Sequence, residues 1–324
     1  MSGAPILELP SSAADRQRVE QALLDSVRTP DPYLTEIASH LLLAGGKRLR
    51  PMFSVVACQV AGGPTTEEAV LGGIACELVH LGSLYHDDVM DESPTRRGVD
   101  TVNAKWGNLQ AILAGDFLLA RASEIAASLG TEVAGLLART IGRLCEGQIE
   151  ELRHTYNVAR PVESYLSSIS GKTASLYATA ARIGGLVSGF SAPVVDALTE
   201  FGEAYGMVFQ IVDDLLDISS TDEELGKPAG HDMVEGVYTF PVLHTLASGG
   251  TPARELADLL GKPLDAVEKD KALSMVRSNG GLDAAHEIAR TYVRAAEQAC
   301  DRMPNSAATE ALRATPAALL ASLL

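Results

Sequence analysis

Asp87-Asp88-Val89-Met90-Asp91 and Asp213-Asp214-Leu215-Leu216-Asp217 repeat one acidic pattern at two distant points of the chain, each inside a run of apolar residues at helical spacing. Residues four apart share a helix face, so Asp87 is expected beside Asp91 and Asp213 beside Asp217. At about 5 Å and an effective dielectric of about 20, each like-charge pair costs roughly 3 kcal/mol. A cation between the carboxylates removes that cost. Two such helices facing each other make a negative cleft suited to several hard divalent ions. Magnesium is the natural one, because it prefers oxygen ligands, keeps waters and completes its octahedron with substrate phosphates. One such motif alone reads equally well as a solvated helix end, since Ser93-Pro94 follows Asp91 at once.

Outward from these motifs the chain reads as helix almost throughout. Its 324 residues are rich in Ala and Leu and contain only 5% aromatics, and β-branched alternation is scarce. Breaks fall at Pro30-Asp-Pro32, Gly45-Gly46, Gly62-Gly63-Pro64, Pro94, Gly130, Pro161, Ser191-Ala-Pro193, Gly226-Lys-Pro228, Gly249-Gly250 and Gly280-Gly281. With 46% hydrophobic residues, no linker and no tandem repeat, the pattern predicts a single domain over 1–324. It is one all-helical bundle with functional groups projecting into a central cavity. Residues 1–30 read as an N-terminal helical arm and 250–324 as a C-terminal helical scaffold. The net charge of −16 argues against nucleic acid and gives no help at an anionic membrane. Cys58, Cys76, Cys145 and Cys300 lack metal-like spacing and read as reduced core residues. The sequence carries no signal-peptide pattern and no transmembrane segment, so a cytoplasmic location is expected.

At about 100° per residue, His80, Asp87 and Asp91 form one stripe, with Gly73, Cys76 and Ser83 close to it. Small residues leading up to acidic ones predict a groove beneath a metal site. Gly45-Gly46-Lys47-Arg48-Leu49-Arg50-Pro51 offers cations and close backbone, with Pro51 read as the first residue of a helix whose amides face an anion. Arg96-Arg97-Gly98 turns two guanidiniums back towards the first carboxylates. Lys172-Thr173 lies in another helical stretch, and Lys227 follows the second acidic helix. Basic groups beside magnesium-binding carboxylates are what a diphosphate site requires.

Together GGKRLRP, ELVHLGSLYHDDVMDESPTRRG, VNAKWGN, GDFLLARA, Lys172-Thr173, FQIVDDLLD and GKPAGHD resemble the trans-isoprenyl diphosphate synthases over roughly residues 40–245. The resemblance implies the isoprenoid-synthase helical bundle, a homodimer, and elongation of an allylic diphosphate by isopentenyl diphosphate. It puts Lys47, Arg50, His80 and Arg97 at isopentenyl diphosphate. Magnesium, three ions per active site, would bridge Asp87, Asp91 and Asp213 to the allylic diphosphate, whose oxygens Arg96, Lys172 and Lys227 neutralise. Asp88, Asp214 and Asp217 become outer or water-mediated partners, and Gln210 and Thr173 lie against the reacting carbons. Ionisation of the allylic carbon–oxygen bond, attack by the isopentenyl double bond and loss of a proton to the departing diphosphate complete the implied chemistry.

Two positions depart from many relatives. Val237 stands where a further lysine is common, and the chain ends Ala-Leu-Leu-Ala-Ser-Leu-Leu where short-chain relatives often end in basic residues. The family's chain-length positions fall on Gly82 and Ser83, with Val79 and Cys76 further down the helix. Their modest size implies an open cavity and a long product, although small residues also serve close helix packing. The segments LVHLGSLYHDDVMDE and EGVYTFPVL most resemble bacterial polyprenyl synthases that make quinone side chains. Alternatives are a geranylgeranyl-type short-chain synthase, a catalytic or a non-catalytic subunit of a heteromeric synthase, and a terpene cyclase, which needs only one acidic motif. A di-iron bundle is a further alternative, built on Glu77-Leu-Val-His80 and Glu151-Leu-Arg-His154.

Overall fold

The computed structural model describes residues 4–220 and 229–323. Helices α1 (Ser12–Ser26), α2 (Pro32–Leu43), α3 (Leu49–Cys58) and α4 (Glu67–Met90) come first. A short hairpin, β1 (Thr95–Arg96) and β2 (Val99–Asp100), leads to α5 (Val102–Trp106), α6 (Asn108–Ser128), α7 (Thr131–Arg153) and α8 (Val162–Ile169). A π-helical turn, Ser170–Ala174, joins α8 to α9 (Ser175–Val187), and α10 (Ala192–Ser219) follows. The remainder is α11 (His231–Val234), α12 (Phe240–Ala247), α13 (Gly250–Leu259), α14 (Ala266–Ser278), α15 (Gly281–Cys300) and α16 (Ala307–Ala321). This is the all-α bundle that the sequence led us to expect.

The glycine and proline breaks fall between helices as expected, apart from Gly226-Lys-Pro228, which lies outside the described residues. Two local expectations change. The Pro94 break opens a hairpin rather than another helix, with Arg97 (φ 53°) and Gly98 (φ 77°) as its two-residue turn. Two positive φ values in succession match the right-handed twist of paired strands. The helix after the glycines begins at Leu49 rather than at Pro51, because Arg48 takes a left-handed conformation (φ 51°, ψ 39°) at its start.

The two acidic helices are the long ones. Thr66 caps α4 by accepting from the Ala69 amide, and Glu67 and Glu68 fill its first turn, where the helix dipole favours negative charge. α4 packs against α3, α6 and α9, and α10 packs against α9 and α15. Phe53, Tyr177, Phe201 and Tyr205 interlock where α3, α9 and α10 meet, with neighbouring ring centroids 4.5–6.5 Å apart. Their burial holds the helices at fixed spacing. The N-terminal helix α1 is embedded, not projecting: Val19 and Leu23 are fully buried in the main core. Cys58, Cys76 and Cys300 are buried as expected, whereas Cys145 is exposed on α7.

Candidate active site

The carboxyl ends of α4 and α10 meet at a cavity of about 800 Å³, whose walls include Asp91, Arg96, Lys172, Gln210, Asp213 and Asp214. Beside it is a basic cavity of about 320 Å³, to which Lys47, Arg50, His80 and Arg97 all contribute. Arg97 lines both. Asp91, Arg96, Lys172, Gln210, Asp213 and Asp214 therefore gather in an acidic chamber and Lys47, Arg50, His80 and Arg97 in an adjoining basic one, whereas Asp87, Asp88, Thr173 and Asp217 line neither. Lys227 lies outside the described residues.

Around the acidic chamber, burial pushes the carboxyls of Asp87 and Asp91 above their ordinary range; Lys172 opposes the rise at both. Lys172 Nζ donates to Glu151 Oε1 at 2.8 Å. Burial lowers the pKa of this ammonium, but Glu151 and Asp87 more than reverse that and hold the lysine charged. Asp88 turns away from the cavity: its side chain is buried, Oδ1 accepts from Arg96 Nε at 2.6 Å, and Oδ2 has no hydrogen-bond partner among the described residues. Asp213 and Asp217 do not share an environment as the four-residue spacing predicted. Asp213 is exposed to the cavity, whereas Asp217 is buried and accepts from the Asp232 amide at 3.4 Å. The cause is α11, which folds back over the Asp217 side of α10. Asp214 is buried, and burial raises its carboxyl to about 7 against the hydrogen bonds from Tyr165 and Gln210. Thr173 Oγ1 donates to Gln210 Oε1 at 2.8 Å.

Lys172 and Thr173 occupy the π-helical turn, a local widening that re-aims side chains. Gly147 of α7 makes room for it. A Cβ at that position would stand 2.6 Å from both the Lys172 nitrogen and the Ser168 carbonyl oxygen.

The basic chamber is built on the segment before α3. The buried Arg48 guanidinium donates to Glu20 of α1 at 2.8 Å, to Glu77 of α4 at 3.3 Å and to the Leu42 carbonyl at 2.7 Å. Clamped in this way, Arg48 leaves the exposed Lys47 and the half-buried Arg50 facing the chamber. Arg97 Nη1 donates to the carbonyls of Leu41 and Gly45, and the Arg50 guanidinium stacks 4.5 Å from the Tyr177 ring centroid. Burial and then the nearby arginines, Arg50 first, hold the His80 pKa well below 6.5, so its imidazole stays neutral.

The di-iron alternative fails on geometry. Glu77 is taken by Arg48 and Glu151 by Lys172, while His154 Nδ1 accepts from Asn157 Nδ2 at 2.8 Å. Among the described residues, no three acidic, imidazole or thiol groups converge closely enough to hold a metal unaided. The donor set at the acidic chamber still suits a hard divalent ion. It consists of carboxylate oxygens whose burial disfavours bare charge, and its open side can admit the phosphate oxygens that complete magnesium's octahedron.

Of the chain-length positions, Val79 is buried and Ser83 half-buried. Gly82 does not open the cavity as its size implied. It is closed against α6, where a Cβ would stand 3.0 Å from the Gly115 carbonyl and 3.3 Å from Leu119. Close helix packing accounts for this glycine. Arg48, Glu151 and Tyr165 are the residues that sequence reasoning missed as parts of the site. Glu151 stood out in the sequence only within the Glu151-Leu-Arg-His154 pattern, and the fold brings it to Lys172 instead.

Facing acidic helices around one cavity, a basic chamber alongside and a helical-bundle frame define an isoprenoid synthase. The sequence profile of the polyprenyl synthetase family matches residues 31–276, and the chain belongs to that family, whose members are prenyltransferases. It is 40% identical over 298 residues to the nonaprenyl diphosphate synthase of Mycobacterium tuberculosis, covering 92% of this chain and 89% of that protein. It is 38% identical to component 2 of the heptaprenyl diphosphate synthase of Geobacillus stearothermophilus, covering 92% and 93%. The crystal structure of a polyprenyl synthase from Caulobacter crescentus, complexed with calcium and isoprenyl diphosphate, superposes with a TM-score of 0.90 at 32% identity, covering 98% of this chain and 96% of that one.

Proposed function

We propose that the protein condenses isopentenyl diphosphate with a farnesyl- or geranylgeranyl-type diphosphate to give a longer all-trans polyprenyl diphosphate, destined for a quinone side chain. The carrying observation is the pair of adjoining chambers: one set of cations lies among carboxylates and a second set lies apart from them. Two diphosphates need two such places, whereas a terpene cyclase needs one.

In this reading Lys47, Arg50 and Arg97 grip isopentenyl diphosphate, and neutral His80 offers a hydrogen bond without adding charge. Lys172 and Arg96 neutralise the allylic diphosphate as Glu151 and Asp88 release them. Asp87, Asp91 and Asp213 would hold magnesium, three ions per site, which when bound would supply Lewis-acid pull on the leaving group. Gln210 and Thr173 turn oxygen dipoles towards the cationic carbons, a form of preorganised electrostatic stabilisation. The proton lost after carbon–carbon bond formation goes to the departing diphosphate. Val237 lines the acidic chamber where many relatives place a lysine, so the allylic grip rests on fewer cations here.

The chain acts as a single domain, since α10 contributes Phe201 and Tyr205 to one core cluster and Ile211 and Leu215 to the other. Exposed Leu109, Ile112 and Leu113, spaced to share one face of α6, support a homodimer through that face. No helix among the described residues is long and apolar enough to cross a membrane, which suits work in the cytoplasm. The kinship with a component of a heptaprenyl synthase favours a second reading, in which this chain is the catalytic half of a heteromer.

One incubation tests both. Purified protein, magnesium and isopentenyl diphosphate are combined with geranyl, farnesyl or geranylgeranyl diphosphate in turn, and products are sized by chromatography. Elongation beyond twenty carbons by the chain alone is expected. Products stopping at geranylgeranyl would favour the short-chain alternative, activity only with an added partner would favour the heteromer, and no consumption under any condition would overturn the assignment.

A further inference from the structure

We propose that Tyr165 is a positioning residue which, acting through Asp214, fixes which end of the Gln210 amide faces the reacting carbons. The inference rests on the reading above, in which Gln210 and Thr173 border the allylic group. Tyr165 Oη donates to Asp214 Oδ2 at 2.5 Å, Gln210 Nε2 donates to Asp214 Oδ1 at 2.9 Å, and Thr173 Oγ1 donates to Gln210 Oε1 at 2.8 Å. Three elements, α8, the π turn and α10, thus join in one hydrogen-bonded line that ends at the cavity.

The direction of each bond follows from the one before it. Tyr165 donates to Oδ2, which leaves Oδ1 as the acceptor facing the amide, so the amide presents its NH₂ to Asp214 and its carbonyl oxygen to Thr173. The Thr173 hydroxyl then places its proton on that oxygen and keeps its own lone pairs free. Two oxygen dipoles are aimed in advance, as a cation-stabilising wall requires. Tyr165 and Asp214 are each 2% exposed, so the phenol is the donor that keeps Asp214 Oδ2 satisfied in place of water. Burial holds the phenol far above its ordinary pKa, which keeps it a donor. Phe240 and Arg160 pack on the Tyr165 ring at 6.2 and 5.8 Å, so the ring stays seated when only its hydroxyl is removed.

Tyr165→Phe is the test, read by steady-state kinetics at saturating magnesium. Loss of this buried hydrogen bond predicts a kcat about tenfold lower. KM for both diphosphates and the half-saturating magnesium concentration should stay within about twofold, because only dipole orientation changes. Gln210→Met should cost a similar factor, and adding Tyr165→Phe to it should cost little more, since the amide to be oriented is gone. A Tyr165→Phe enzyme with wild-type kcat, or losses that multiply in the double variant, overturns the proposal. Should Tyr165→Phe fail to fold, Asp214→Asn reads the same link, for an amide at 214 can donate as well as accept and no longer dictates the Gln210 orientation; an unchanged kcat there is equally fatal. Wild-type protein that consumes neither substrate removes the functional reading and this inference together, whereas an active wild type with an unaffected Tyr165→Phe removes this inference alone.

Discussion

Replacing Gly147 by Ala tests whether the π turn is what sets Lys172 and Thr173 in place. The added Cβ would lie 2.6 Å from the Lys172 nitrogen and the Ser168 oxygen and 3.0 Å from the Gly171 carbonyl carbon, where ordinary contact begins at 3.4 Å. The obstacle is backbone on every side, so no rotamer change relieves it, and the turn or α7 must move by roughly 0.8 Å. Overpacking of this kind costs about 1–3 kcal/mol, and the better helix propensity of alanine returns up to about 1 kcal/mol. The melting temperature should therefore fall by only a few degrees. Activity should fall much further, because a displacement near 1 Å at a positioning group costs on the order of a hundredfold. We expect kcat/KM for the allylic diphosphate to carry that loss while circular dichroism shows the native helix content. A folded Gly147→Ala enzyme within about threefold of wild type would show that the turn's geometry is immaterial.

Asp87→Ala should weaken magnesium binding and lower turnover by about three orders of magnitude, measured by product formation across a magnesium titration; near-normal turnover would refute its assignment to the metal. Ser83→Phe places a bulky ring one turn before the first acidic motif and should shorten the product, read by chromatography of the chain lengths, whereas Gly82→Ala should act on stability through its contact with Gly115 instead. His80, whose folded pKa lies below its unfolded value near 6.5, stabilises the fold fully above that pH and loses the contribution as pH falls through it. Wild type should accordingly lose melting temperature faster than His80→Gln on going from pH 7 to 5.5, while KM for isopentenyl diphosphate shows no inflection near 6.5.

What the sequence made legible was whatever repeats or clusters locally. The acidic motifs announce themselves by four-residue spacing on apolar helices, and GGKRLRP by its density of cations and glycines. What it concealed depends on partners far along the chain. Arg48 reads as one more cation of a basic loop, yet it meets Glu77, 29 residues on, and serves as the clamp beneath that loop. Lys172 finds Glu151 across 21 residues and Tyr165 finds Asp214 across 49. Asp217 was misjudged because a helical wheel gives the face of a residue but not what covers it, and here α11 does. Gly82 shows the same limit, since a missing side chain reads alike as room for a substrate and as room for a neighbouring helix.

The adjacency of Arg96 and Arg97 shows how little chain is needed to divide one site into two. Strand geometry sends successive side chains to opposite sides, and the two-residue turn at Arg97-Gly98 falls between the strands so that the reversal happens at that pair. Arg96 therefore reaches back to Asp88 on the acidic helix, and Arg97 reaches out to the Leu41 and Gly45 carbonyls of the basic loop. A helix through these residues would have put the two guanidiniums about 100° apart on one rod, and a longer loop would have left both to wander. The tight turn instead holds Arg96 in the acidic chamber and sets Arg97 on the boundary that both chambers share, so the hairpin that breaks the all-helical pattern also stands between them.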